Sequence, residues 1–216
     1  MKKSRQFIPA LHYHFLTPVY EFLARPFIGC TWRAIVQVVC EYAPRGSTVI
    51  DVGCGTGAVL RSIRQMRPDL ILEGYDIDPA ILKIARKKAG NMNIAFYESS
   101  IDRLAIPDQS TKLVLSNMTF HHLTEETKRA ALREVRRIVH PDGCFLLCDL
   151  SSSSEDQPCS SLASRFTRIF EPSVIPQMNG QLFRLATECG FHTETLRMFS
   201  GKIALIQMRL DQTKAR

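Results

Sequence analysis

The segment Asp51-Val52-Gly53-Cys54-Gly55-Thr56-Gly57 and the acid Asp76 carry the most chemistry in this chain. Glycines admit backbone conformations closed to other residues and let a ligand approach main-chain N–H groups without meeting a Cβ. Read as a strand, a Gly-rich turn and a helix, the segment sets those N–H groups and a positive helix end at the carboxyl edge of a sheet, where ligands bind. Asp76 closes a second strand about twenty residues further on, where a carboxylate can accept hydrogen bonds from both hydroxyls of a ribose. The ligand expected there is of the adenosine type.

Spacing and charge narrow the choice. The glycines read GxGxG, whereas a dinucleotide fingerprint reads GxGxxG. Asp51, just ahead of them, would set a negative charge against a pyrophosphate, but it suits a ligand bearing an ammonium and a sulfonium. An NAD-dependent oxidoreductase is disfavoured on both counts. The bland alternatives are a ligand-free strand-to-helix turn for the loop and a helix-capping aspartate for Asp76.

Positioning these groups takes an alternating series of strands and helices. Thr48 to Val52, Ile71 to Tyr75, Asn93 to Tyr97, Lys112 to Ser116 and Gly143 to Leu150 read as strands. Between them, Val59, Ile63 and Met66 mark one helix ended by Pro68. Ile81, Leu82, Ile84 and Ala85 mark a second, capped by Asp78-Pro79 and stopped by Gly90. A third runs from about Glu125 to Val139 before the turn Pro141-Asp142-Gly143. A last helix around Leu182 to Cys189 precedes a hairpin of His192 to Met198 and Lys202 to Leu210. Such alternation implies right-handed crossovers and a mostly parallel sheet covered on both faces. Residues 1–46 hold no strand signal. Thr31 can cap a helix there with Ile35, Val38, Val39 and Tyr42 on one face, and the segment reads as a helical cover on a single domain formed by residues 47–216.

The chain resembles the class I S-adenosylmethionine (SAM)-dependent methyltransferases, within them the small-molecule branch that includes the ubiquinone and menaquinone biosynthesis C-methyltransferases. The resemblance covers about residues 48–150. It rests on Val49 to Gly57, on Tyr75-Asp76-Ile77-Asp78, on Leu113 to Asn117 followed by His121-His122-Leu123, and on Arg137 to Gly143. It implies an α/β fold: a seven-stranded, Rossmann-like, doubly wound, mostly parallel sheet with an antiparallel last strand. It also implies SAM as cofactor, with Asp51, Gly53, Cys54, Gly55 and Gly57 at its methionine part and Asp76 on its ribose. Ile77 would pack on the adenine, Ser99-Ser100-Ile101 would flank the exocyclic amine, and Asn117 would open the loop between donor and acceptor. Where Ser100 stands, many relatives have an aspartate, which shifts or weakens the adenine contact.

The expected reaction is methyl transfer to a small-molecule acceptor, apolar or aromatic if Phe7, Phe15, Phe22, Phe27, Phe166 and Phe170 line its pocket. No metal is required. His121 and His122, after the fourth strand, are candidates for a general base, with a purely structural pair as the alternative. His12, Tyr13 and His14 could contribute to an acceptor lid. The alternatives in function are an RNA or protein methyltransferase and a non-catalytic SAM-binding regulatory module.

Composition fits this frame. The formal charge of +7 is dispersed, without the basic and aromatic footprint of a nucleic-acid surface, while contact with anionic headgroups stays open. Seven scattered cysteines without paired CxxC spacing read as reduced thiols of a cytoplasmic protein. No run of eighteen apolar residues suggests a transmembrane helix, and the oligomeric state is left open.

Overall fold

A computed structural model describes residues 31–150, 180–199 and 203–211. The aromatic lead, the Ser-rich stretch 151–161, the six phenylalanines named above and the hairpin tip Ser200-Gly201 lie outside the described residues.

Seven strands form one sheet: β1 (Thr48–Val52), β2 (Ile71–Asp76), β3 (Ile94–Glu98), β4 (Thr111–Asn117), β5 (Val139–Leu150), β6 (Phe191–Phe199) and β7 (Ile203–Leu210), in the spatial order β3-β2-β1-β4-β5-β7-β6. The first five strands pair in parallel, and β7 runs antiparallel to both β5 and β6. The chain reverses its direction of strand addition at β1 and β4, so the carboxyl ends of these two strands open the crevice in which open α/β sheets bind ligands.

Alternation along β1 shows why both faces need cover. Val49 packs with Leu72, Leu113 and Leu146 on one face, where α1 (residues 31–42), α2 (Ala58–Met66) and α3 (Pro79–Ala89) lie. Ile50 and Val52 face the other way, onto α4 (Glu125–Ile138) and α5 (Gln181–Glu188) through Leu132, Val135, Leu182 and Leu185. Burying a side chain of this size stabilises the fold by about 1.5–3 kcal/mol, so the two apolar layers hold the crevice-forming strands rigid.

The expected elements are present, with local differences that have physical causes. Met66 is 65% exposed because α2 ends there and the chain turns away before Pro68; Leu60 takes the inward position with Val59 and Ile63. Tyr42 is likewise exposed, beneath the guanidinium of Arg209. Pro141-Asp142-Gly143 lies within β5, at a shift in register against β4, and does not end in a free turn. Gly143 is required there because a Cβ would stand 2.7 Å from the Lys112 carbonyl oxygen. The described part of the N-terminal segment packs into the core of the sheet face.

Candidate cofactor and active site

β1 delivers Asp51 to the crevice and ends in a turn whose three glycines all lie at positive φ: Gly53 at 75°, Gly55 at 52° and Gly57 at 71°. The Gly53 and Cys54 N–H groups both donate to the Tyr75 carbonyl, at 2.7 and 3.0 Å, so the turn is tied to the end of β2. A Cβ on Gly57 would stand 2.8 Å from the Phe96 ring, whereas one on Gly55 would meet nothing within 4 Å. The space over Gly55 is therefore open to a ligand. Cys54 contributes only backbone there, since its buried thiol points under the turn toward Gly74. Burial, with the charges of Asp51 and Asp76 added, pushes that thiol well up and keeps it protonated.

Asp76 is braced from two sides. Its Oδ2 accepts the Gly55 N–H at 2.9 Å and its Oδ1 accepts the Asp78 N–H at 3.0 Å. Each oxygen keeps a second lone pair for a ribose hydroxyl. Asp78, not Asp76, is the helix cap, accepting from Ala80 and Ile81 at the start of α3. Burial raises the Asp76 carboxyl above its ordinary value, against the pull of those two N–H donors. Ile77 beside it is 45% exposed, a large apolar side chain left uncovered at the crevice.

Asp51 is buried, and its Oδ1 has no hydrogen-bond donor; Asn117 Oδ1, at the end of β4, is the same. Burial, then the neighbouring charge of Asp76, pushes the Asp51 carboxyl well above its ordinary range. Buried acceptors without donors are rare in folded proteins. A ligand with an ammonium group would satisfy them, so the chain's groups fit SAM.

Where the resemblance would put the adenine, Ser99 donates its N–H to the Asp76 carbonyl at 2.9 Å, and Ile101 is partly buried against the second core. The Ser100 hydroxyl is hydrogen-bonded to Asp102. Asp102, which no motif in the sequence marks, thus places a carboxylate beside the position of Ser100.

The turn that the sequence leads one to expect beside the acceptor follows β4. His121 and His122 sit in a 3-10 turn, Phe120–His122, with ring centroids 3.8 Å apart, but their settings differ. His121 is 3% exposed, and its Nδ1–H donates to Asp149 Oδ1 at 2.7 Å. His122 retains some exposure; burial, then the His121 charge, lowers its pKa to about 4, so it is neutral at physiological pH. In the sequence the partner acid Asp149 is marked only by its place in the fifth strand. Burial alone would raise its carboxyl, yet the charge and hydrogen bond of His121, with backbone donors, hold it below its ordinary value. Lys128 on α4 is also buried; burial lowers its pKa, opposed by Asp149 and Glu125. Among the described residues no group of three or more His, Cys, Asp or Glu could hold a metal ion, and no helix is long and apolar enough to cross a membrane.

A methyltransferase-domain family matches residues 49–143, from the first strand to Gly143. The demethylmenaquinone methyltransferase of Deinococcus radiodurans is 27% identical over 199 residues, covering 89% of this chain and 79% of that protein. The ubiquinone/menaquinone biosynthesis C-methyltransferase of Shewanella frigidimarina is 24% identical, over 94% of this chain and 78% of its own length. A tRNA (carboxymethyluridine(34)-5-O)-methyltransferase of Arabidopsis thaliana is 27% identical over 74% of this chain and 37% of itself. In fold, the chain is similar to the PH0226 protein of Pyrococcus horikoshii, with a TM-score of 0.74 at 16% identity over 94% of this chain and all of that one. These matches and the fold support a SAM-dependent methyltransferase of class I, with S-adenosylmethionine as its cofactor. The quinone methyltransferases named above are what its sequence is similar to.

Proposed function

We propose that the enzyme methylates a small, apolar or aromatic molecule, with the cofactor held by the residues described above. The observation that carries the cofactor assignment is Asp76, a half-buried carboxylate fixed by Gly55 and Asp78 with free lone pairs beside the exposed Ile77. Asp51 and Asn117 would take the ammonium end, the open face of Gly55 would take the chain between, and Ile77 with Ser100 and Ile101 would take the adenine.

Bound SAM supplies an activated methyl group that a nucleophilic atom of the acceptor takes by in-line displacement. The chain's own task is to hold donor and acceptor close and aligned, from which up to about 7–11 kcal/mol of barrier lowering is available. Of the two histidines, His122 is the candidate to face an acceptor, because His121 is enclosed and committed to Asp149. Neutral His122 can accept a proton, although a pKa near 4 makes it a weak base.

The small-molecule reading is supported by the names of the quinone relatives, which align over most of their own length. RNA modification, suggested by the tRNA methyltransferase, draws on a much smaller share of that protein. Incubation of the protein with SAM and a panel of hydroquinones, phenols and short RNAs, followed by mass spectrometry of products and of S-adenosylhomocysteine (SAH), tests the choice. Methylated RNA without methylated small molecules would reverse it. SAH binding without turnover on any acceptor would favour a regulatory module.

A further inference from the structure

The backbone leaves β4 through a strained residue. Met118 lies at a φ of 54°, in the left-handed region that side chains with a Cβ avoid, and such strain persists only where neighbouring groups over-determine the turn. The neighbouring group here is Asp149. Register pairing of Asn117 with Cys148 brings it alongside, and its Oδ2 accepts the N–H groups of Thr119 at 2.9 Å and Phe120 at 2.7 Å. Its Oδ1 accepts from Leu150 N at 2.7 Å and from His121 Nδ1 at 2.7 Å. The carboxylate is wholly buried, and these donors are the charge-assisted kind that make such burial tolerable.

Thr119, so fixed, reaches across the crevice. Its hydroxyl stands 3.1 Å from the Gly53 carbonyl and 3.2 Å from that of Asn117, sharing one proton between them. Its side chain fills the space a Cβ on Gly53 would need, with Thr119 Cγ2 only 2.3 Å from that point. We infer that Asp149 and Thr119 are positioning residues that lock the first glycine of the cofactor loop from the acceptor side. The inference rests on the reading of that loop as the SAM site. It gives Asp149 a role through backbone and hydroxyl contacts, with His121 as one of the groups hydrogen-bonded to it.

Lys128 and His122 also lie within the field of Asp149, so removal of the carboxylate disturbs several charges at once. The primary test therefore uses Thr119. Thr119→Val keeps the shape against Gly53 and loses the hydroxyl; Thr119→Ser keeps the hydroxyl. SAH affinity by calorimetry, KM for SAM and for a working acceptor, and thermal melting are measured for each. We expect Thr119→Val to bind SAH about five- to tenfold more weakly, the loss of one net hydrogen bond. KM for SAM should rise in step while KM for the acceptor stays put, and Thr119→Ser should recover parental binding. Asp149→Asn should weaken SAH binding at least as far. Parental SAH binding in Thr119→Val, or equal weakness in Thr119→Ser, overturns the role of Thr119; parental binding in Asp149→Asn overturns that of Asp149. Failure of the parental protein itself to bind SAH would instead remove the cofactor-site reading on which both depend.

Discussion

The Gly55 N–H donates to Asp76 Oδ2 at 2.9 Å, so the second glycine of the turn and the acid at the end of β2 form one unit before any ligand arrives. The bond ties the loop to the carboxylate and leaves a second lone pair on that oxygen for a ribose hydroxyl. Replacing Asp76 by Ala should weaken SAH binding by about 2–4 kcal/mol, from two charge-assisted hydrogen bonds and the lost brace. Calorimetry reads this directly. An Asp76→Ala protein that binds like the parent would leave the acid with a turn role alone.

The glycines separate into two kinds, and a pair of alanine variants should show it. At Gly57 a Cβ meets both the buried Phe96 ring and a φ of 71°, so Gly57→Ala should cost about 2–4 kcal/mol of stability, strain and overpacking combined. Gly55→Ala carries the strain without the collision and should cost only about 1–2 kcal/mol. Its new methyl instead enters the open face, so SAH affinity should suffer more than the fold. Melting curves and calorimetry on both variants would refute this if Gly55→Ala melted as low as Gly57→Ala.

Much of this arrangement was legible in the sequence, and the remainder fails to show for stated reasons. Buried strands such as Val49 to Val52 announce themselves as short apolar runs, and the distance from the glycines to Asp76 is fixed by one helix and one strand. Asp149 is different. Nothing local distinguishes it from any acid at a strand end, and only the pairing of Asn117 with Cys148 brings it under the 119–121 turn. Gly143 was legible as a glycine that matters but not for its reason, the close approach of the Thr111 and Lys112 carbonyls across the sheet. Arg137 likewise gains its meaning in three dimensions, where its guanidinium binds Glu134, Asp108 and the carbonyls of Leu104 and Ile106.

Asp51 should couple cofactor binding to pH. Burial and the Asp76 charge raise its pKa in the free protein, and a bound ammonium would lower it, so binding expels protons from the coupled pair. Affinity for SAH should rise with pH from the ordinary carboxylate range upward, by no more than about tenfold per unit for one proton released. The binding heat should also depend on the ionisation enthalpy of the buffer, and Asp51→Asn should reduce that dependence. A heat identical in phosphate and Tris for the parental protein would count against the linkage.

His122 should make the fold sensitive to mild acid. Its pKa is lowered to about 4 in the folded chain, against about 6.5 when unfolded, so the unfolded state binds the proton first. The sign follows: stability is unaffected above about pH 6.5, falls as pH drops toward 4, and then levels off as the folded form protonates too. Between pH 7 and 4.5 the loss from this residue alone should be about 2 kcal/mol. Asp149 acts in a separate window. Its carboxyl is held below the ordinary value, so its contribution is complete above about pH 4 and is lost only as pH falls through its lower folded value. Denaturant melts of the parental protein and of His122→Gln at pH 7 and 4.5 isolate the first window, because the glutamine cannot titrate. The variant should lose about 2 kcal/mol less than the parent over that interval. Equal losses would mean that His122 is free to protonate in the folded state, and it would then be a better base than its burial allows.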